Sequence, residues 1–234
     1  MPKVKPLAQH LKTLSNGQIA KIMALSPKMA DKTHTLIASW TDESVAQRPA
    51  IDSFLGDIYS GLQVGGWSEA DRAYADELLR ILSGLYGILR PLDGIHPYRL
   101  EMGYKWDDPV FGNLYKYWGD SVAATLPVSG PIINLAAVEY SKVITPYIDD
   151  ARLITPSFLT VSPKTGEPTF VTVHAKIARG AFASWLLRNR IGSVDKLADF
   201  NELNYRFSKE LSELTKPVFI CKEFGGLGLS VRLK

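Results

Sequence analysis

Two kinds of apolar pattern alternate along this chain, and only folds that combine helices with strands satisfy both of them. Over residues 5–40, leucines and isoleucines recur three and four positions apart, which is the period of a helix with one buried face. Shorter apolar runs have the length and β-branched content of strands, and they lie at residues 131–135, 151–161, 170–173, 217–221 and 229–233. The pattern predicts a mixed α/β fold. Because no linker, repeat or low-complexity tract divides the sequence, we expect a single domain over residues 1–234.

Two further helices can be bounded from capping and breaking residues. Ser68 is a good N-cap, and the acids Glu69 and Asp71 suit the positive end of a helix that begins at Glu69. We expect this helix to bury the leucines of residues 78–89 and to end before Arg90–Pro91. The strand over residues 170–173 is expected to lead into a helix from about residue 175 to residue 190.

The composition and the motif inventory exclude several classes of protein. Cys221 is the only cysteine, so neither an intramolecular disulfide nor a multi-cysteine metal site can form. The four histidines are scattered, and the sequence has no phosphate-binding Walker loop and no dinucleotide fingerprint, so we expect no metal and no cofactor. An opening without an apolar leader, and the lack of a membrane-length apolar run, predict a cytoplasmic protein without membrane contact.

The net charge is only +3, so an anion site would need a local concentration of cations. Residues 80–105 offer one, because four basic side chains there face only Asp93 and Glu101. Glycines in the same segment let backbone N–H groups approach a ligand closely. The alternative is structural, with Arg90 and Arg99 simply pairing with the two acids in a rigid turn.

Lys176 and Arg179 form a second cationic pair, three residues apart and therefore on one helix face. We expect them in the first turn of their helix, where cations oppose the helix dipole and are better suited to binding an anion than to stabilising the helix. Gly180 keeps the neighbouring surface low. The alternative is a salt bridge from each cation to a distant carboxylate.

An asparagine, two acids and four aromatic residues supply further candidates for a site. Asn134 ends a predicted strand, the position at which α/β proteins place ligand-binding groups. Asp57 and Glu139 are the candidate general acids or bases, and their alternative interpretations are a turn acid and a helix N-terminal acid. Four aromatic side chains could stack on bases or could equally be core residues: Tyr59, Tyr98, Tyr117 and Trp118.

The run of residues 79–103 also resembles a known family. It reads Ser-Gly-Leu-Tyr-Gly, then Leu-Arg-Pro-Leu-Asp, then Pro-Tyr-Arg-Leu-Glu-Met-Gly, which closely resembles the signature of the YaaA peroxide-stress proteins. The resemblance extends to residues 56–62, 117–120, 134–136, 139–140 and 175–180, so that it covers residues 5–225. It departs from the family pattern at Ala137, in place of a serine, and at His174, in place of a tyrosine. The sequence also starts downstream of the family's usual apolar strand and lysine-bearing segment.

The resemblance implies a mixed α/β fold with a helix-hairpin-helix-like element, a cationic cleft that binds DNA, and a role in limiting iron-driven damage under peroxide stress. Our leading hypothesis is therefore a DNA-binding stress protein. The binding candidates are Tyr59, Arg90, Tyr98, Arg99, Glu101, Asn134, Lys176 and Arg179. The alternative is an enzyme acting on a nucleobase-like or nucleotide-like molecule, with Asp57 or Glu139 transferring a proton. We expect Asp57, Arg99, Glu139 and Lys176 to surround one concave site, with double-stranded DNA or a phosphate-bearing small molecule as the partner.

Overall fold

The computed structural model describes residues 2–227, and it confirms a mixed α/β fold. The helices are α1 (Val4–Lys12), α2 (Asn16–Met23), α3 (Pro27–Ser39), α4 (Ala50–Ser53), α5 (Asp57–Leu62), α6 (Glu69–Leu78), α7 (Leu114–Trp118), α8 (Val138–Ser141) and α9 (Thr172–Arg188). The strands are β1 (Arg48–Pro49), β2 (Ile81–Ser83), β3 (Gly87–Leu89), β4 (Gly94–Ile95), β5 (Ile132–Ile133), β6 (Leu153–Ile154), β7 (Ser157–Val161), β8 (Pro168–Thr169), β9 (Arg206–Phe207) and β10 (Val218–Cys221). The strand expected at residues 229–233 lies outside the described residues.

The described residues divide into two compact units. The first unit contains residues 2–53, 78–126 and 138–147, and the second contains residues 54–77, 127–137 and 148–227. The single-domain interpretation and the helix-hairpin-helix-like element both stay predictions.

In the first unit, the helices predicted for residues 5–40 are confirmed as α1, α2 and α3. Leu7 and Leu11 of α1 are buried, as their helical spacing indicates. Ser15 caps α2, because its hydroxyl accepts a hydrogen bond from the Gln18 backbone N–H while the Gln18 side chain accepts one from the Ser15 N–H. Pro27 occupies the first turn of α3, where its missing N–H costs no helical hydrogen bond.

The prediction of one long helix from Glu69 to residue 89 is wrong in its second half. α6 begins at Glu69 as predicted, but it ends at Leu78, and β2 and β3 follow as an antiparallel hairpin. Gly87 has a φ of +73°, and a Cβ there would stand 2.7 Å from the ring of Trp118. The close packing of this turn on Trp118, within the first unit, overrides the helical spacing of the leucines.

The core of the second unit lies between α9 and a four-stranded sheet of order β8-β7-β10-β9. β7 and β10 are parallel, whereas the two outer pairings are antiparallel. Side chains alternate in burial along β7, and Phe158 points into the core, where it stacks on Phe219 of β10 at 5.3 Å between ring centroids. Phe182 of α9 meets both rings. The strand predicted at residues 217–221 is confirmed as β10.

Residues 170–173 do not form the predicted strand. The short strand there is β8, which ends at Thr169, and α9 already begins at Thr172. The segment 151–161 holds two strands, β6 and β7, and β6 pairs in parallel with β5. β5 confirms a strand within residues 131–135, and α8 follows it in the chain.

Candidate functional site

The first candidate site is the cationic face of α9 in the second unit. Because α9 begins at Thr172, Lys176 and Arg179 are its fifth and eighth residues and do not belong to its first turn. The prediction that both cations lie in the first turn, where they would oppose the helix dipole, is therefore wrong. Lys176 is exposed and Arg179 is half-buried, and neither forms a salt bridge within residues 2–227. The salt-bridge alternative thus finds no partner in that part of the chain.

Burial gives Arg179 an unusual electrostatic position. Desolvation of the guanidinium lowers the pKa of Arg179. An arginine stays protonated in proteins even so, because its ordinary pKa is above about 12. The second unit therefore holds a partly desolvated positive charge, which an external anion could compensate.

α9, which carries these two cations, packs against α5, which carries two further candidates, the acid Asp57 and the aromatic residue Tyr59. α5 crosses α9 at two glycines: a Cβ on Gly180 would stand 1.8 Å from the carbonyl oxygen of Ile58, and a Cβ on Gly61 would stand 1.9 Å from that of Ile177. The backbones touch because neither glycine has a side chain. Asp57 and Tyr59 of α5 are thereby held on the helix that packs against α9, and Tyr59 stacks on Phe54 at 5.4 Å.

The second candidate site is a tyrosine–glutamate cluster in the first unit, formed by Tyr98, Arg99, Glu101, Tyr104, Glu139 and Tyr140. The hydroxyl of Tyr140 donates a hydrogen bond to the Glu101 carboxylate. Burial is the largest of the effects that raise the pKa of Tyr140. The hydrogen bond to Glu101 and the charges of Glu101, Tyr98 and Glu139 raise it as well. Tyr140 is therefore a neutral phenol at physiological pH.

Glu139 is exposed at the edge of this cluster, next to Gly103. A Cβ on Gly103 would stand 2.9 Å from Oε2 of Glu139 and 3.6 Å from the hydroxyl of Tyr115. That hydroxyl donates a hydrogen bond of 2.7 Å to the backbone carbonyl of Glu139. Gly103 therefore leaves room in which the carboxylate can lie.

Arg99 supplies the positive charge of the cluster. Its Nε is buried and has no hydrogen-bond partner among residues 2–227. Burial raises the pKa of Tyr104, the positive charge of Arg99 lowers it, and the charges of Glu101 and Glu139 raise it, which places all three charged groups near this phenol. Tyr98 lies in the same cluster, and its hydroxyl is 2.6 Å from Oγ of the fully buried Ser83.

Four of the ten predicted site residues thus come together in the first unit: Tyr98, Arg99, Glu101 and Glu139. Sequence reasoning assigned no role to Tyr104, Tyr115 or Tyr140. A signal was present, because Tyr140 directly follows Glu139 and Tyr104 lies three positions after Glu101. The convergence of Asp57, Arg99, Glu139 and Lys176 on one site stays a prediction.

Other candidates have local partners. Arg90 is exposed and pairs with Asp93 at 3.3 Å, and its backbone N–H also donates to that carboxylate, so this half of the rigid-turn alternative is confirmed. The other half is not, since Glu101 bonds to Tyr140. Asn134 is buried, and its side chain donates to Oγ1 of Thr155 and accepts from the Ala136 N–H.

The aromatic candidates Tyr117 and Trp118 both form hydrogen bonds within the first unit. Trp118 is buried and donates to the Gly84 carbonyl at 3.0 Å, which makes it a core residue. Tyr117 donates to the Lys3 carbonyl, and Lys3 donates in return to the carbonyl oxygens of Tyr117 and Trp118.

Neither a metal-binding cluster nor a membrane-spanning helix occurs within residues 2–227. Between residues 2 and 227, histidine, cysteine and acidic side chains nowhere gather in a group of three that could hold a metal ion. In that range the helices are also too short or too polar to span a bilayer.

Comparison with known proteins places the chain in a family. The family model described as "Peroxide stress protein YaaA" matches residues 1–211. A protein of Salinispora tropica named "UPF0246 protein" is 58% identical over 230 residues, which is 98% of this chain and 88% of that protein. Proteins with UPF0246 names from Clostridium beijerinckii and Roseobacter denitrificans are 37% and 38% identical over 93% and 92% of this chain, and 86% of each relative is covered. With a family match of this length and relatives of this similarity, the chain belongs to the peroxide stress protein YaaA family.

Proposed function

We propose that the chain binds DNA through its phosphates, and that Arg179 and Lys176 of α9 make these contacts. The observation that carries the proposal is the half-buried guanidinium of Arg179, which has no carboxylate partner within residues 2–227. Burying an uncompensated charge is costly, so a cation kept in this position is suited to a ligand that brings the opposite charge.

The residue types favour phosphate among the common anions. The arginine fork matches the geometry of phosphate oxygens and can bind two of them at once, while a lysine adds a point charge. Lys176 lies one helical turn from Arg179 on the same face, so that the two cations can contact neighbouring phosphates. Phosphate contacts carry no base information, and we therefore expect little sequence preference.

Membership of a peroxide stress family supports a stress-related role. A protein that covers DNA without sequence preference would suit such a role, because oxidative damage can strike a duplex at any sequence. DNA binding is thus the more specific function that we add to the stress role.

The test is fluorescence anisotropy with a labelled duplex of random sequence, measured over a series of salt concentrations. We expect a complex at low salt and a log–log salt slope of about −0.9 for each phosphate contact. Arg179→Ala should weaken binding by about tenfold or more, because a charge-assisted hydrogen bond is lost. Arg188→Ala is the matched control, since it removes the same charge from an exposed position on the same helix.

Two outcomes would overturn the proposal. One is the lack of any complex at low salt. The other is an equal loss of affinity in Arg179→Ala and Arg188→Ala, which would mean that total charge, and not this position on α9, sets the affinity.

A further inference from the structure

We propose that the tyrosine–glutamate cluster of the first unit binds a small planar heterocycle that carries both N–H donors and a carbonyl or ring-nitrogen acceptor on its edge, the chemistry of a free nucleobase. This site goes beyond phosphate binding by α9, because it uses different residues in a different unit. The assignment depends on the mixture of charges, hydroxyl groups and aromatic surfaces that the cluster brings together.

The acceptors of the cluster are its two carboxylates. Glu139 is exposed, and Gly103 leaves open the space in which its carboxylate lies. Glu101 is half-buried and already accepts from Tyr140, which fixes its position. Carboxylate oxygens only accept hydrogen bonds at neutral pH, so a ligand next to Glu139 must present N–H or O–H donors.

The donors that a ligand could meet are Arg99 and the phenol of Tyr104. The guanidinium of Arg99 lies near Tyr104, and its Nε has no acceptor among the residues that the structure describes. Tyr104 stays protonated at neutral pH, because burial raises its pKa, whereas the proton of Tyr140 is already donated to Glu101. A ligand that satisfies this side of the cluster must carry an acceptor as well.

These two requirements exclude simpler ligands. A phosphate would meet two negative carboxylates, and a plain ammonium ion would offer nothing to Arg99. A planar ring with a mixed edge satisfies both groups, and half-buried tyrosines provide flat surfaces against which such a ring can stack. Small-molecule sites commonly combine aromatic walls with a few convergent polar groups in this way.

The probe is free cytosine, whose edge carries an amino donor, a ring nitrogen and a carbonyl. Binding to the full chain is measured by saturation-transfer NMR and by calorimetric titration, with inorganic phosphate as the contrasting probe. We expect cytosine to bind and Gly103→Ala to weaken its binding by about tenfold or more, because the new methyl group would stand 2.9 Å from Oε2 of Glu139 and displace that carboxylate.

Gly17→Ala is the matched control, because it makes the same change in the same unit at a glycine where no described residue lies within 4 Å of the added carbon. It should leave cytosine affinity unchanged. Glu139→Gln keeps the side-chain shape at an exposed position, and it should also weaken binding, because an amide replaces one acceptor oxygen with a donor. This second variant keeps the test decisive if Gly103→Ala fails to fold.

The proposal is overturned if cytosine does not bind, if Gly103→Ala and Gly17→Ala bind it equally well, or if Glu139→Gln binds it like the natural chain. Arg179→Ala should leave cytosine binding intact, so that a failure of this site and a failure of DNA binding by α9 can be told apart.

Discussion

The hydroxyl of Tyr140 donates a hydrogen bond to the carboxylate of Glu101, a residue 39 positions earlier in the chain. The bond joins α8 to the segment that follows β4, within the first unit. Both side chains are half-buried, so the carboxylate has lost part of its hydration and depends on the phenol to replace it. The pair therefore contributes to stability as well as to the shape of the tyrosine–glutamate cluster.

The first prediction is that Tyr140→Phe destabilises the protein by about 1.5–3 kcal/mol, the usual contribution of a hydrogen bond to a charged group. Urea unfolding at neutral pH measures the change. Tyr147→Phe is the control, since it removes a hydroxyl from a half-exposed tyrosine of the same unit. Equal stabilities of the two variants would contradict a stabilising role for the Tyr140–Glu101 bond.

The second prediction concerns alkaline pH. The pKa of Tyr140 is raised in the folded chain, so the folded state holds this proton after the unfolded state has released it at about pH 10. The stability that depends on the proton is fully present below pH 10 and is lost as the pH rises further, at up to about 1.4 kcal/mol per pH unit. The free energy of unfolding should thus fall less steeply between pH 10 and pH 11 in Tyr140→Phe than in the natural chain. Equal slopes of the free energy of unfolding against pH in the two proteins would contradict this prediction.

Local signals in the sequence were sufficient to predict much of the fold. Ser15, Pro27 and Ser68 each stand at a helix start because their effects act within three residues: a hydroxyl that caps an N–H, or a ring that lacks one. The hairpin of β2 and β3 could not be predicted in the same way. It depends on contact between Gly87 and Trp118, and a chain read residue by residue does not reveal such a distant partner.

The candidate site, too, could be predicted from the sequence only in part. The family signature identified Tyr98, Arg99, Glu101 and Glu139, and the structure brings them together in the first unit. The signature could not reveal that Glu101 bonds to Tyr140 instead of pairing with Arg99. The bond forms because α8 brings Tyr140 next to Glu101 in the fold. Catalysis by Asp57 or Glu139 stays a prediction.

The third prediction tests the crossing of α5 and α9. Gly180→Ala would place a methyl group 1.8 Å from the carbonyl oxygen of Ile58, so the helices must separate. We expect a loss of about 3 kcal/mol or more, at the upper end of the usual cost of overpacking. Gly192→Ala is the control in the same unit, because none of residues 2–227 lies within 4 Å of its added carbon. Thermal unfolding of both variants measures the difference. If neither melting temperature changes, the two helices do not meet at Gly180.

The fourth prediction concerns His10 and Asp108, whose Nε2 and Oδ2 atoms are 2.6 Å apart. Burial would raise the pKa of Asp108, but hydrogen bonds from His10 and from two backbone N–H groups outweigh it and lower the pKa. The resulting stability is present above about pH 4, the ordinary value for an aspartate, and is lost as the pH falls below it. Asp108→Asn should therefore cost about 2 kcal/mol at neutral pH and little at pH 3.

Asp107→Asn is the control for this pair, since the neighbouring carboxylate is exposed. Its stability should match that of the natural chain at both pH values. If Asp107→Asn and Asp108→Asn lose the same stability at neutral pH, the loss reflects net charge, and the His10–Asp108 pair is not its cause.

The last prediction separates a ligand-binding role of Arg179 from a structural one. Arg179→Met keeps the length of the aliphatic stem and removes a partly desolvated charge that has no carboxylate partner within residues 2–227. If the cation is kept for a ligand, the stability of the variant should be unchanged or higher by up to about 2 kcal/mol. Added duplex DNA should then raise the melting temperature of the natural chain more than that of the variant. A structural arginine would behave in the opposite way, since the loss of a buried ion pair costs about 3–5 kcal/mol. A large drop in melting temperature with unchanged stabilisation by DNA would therefore show that the α9 site is wrongly assigned.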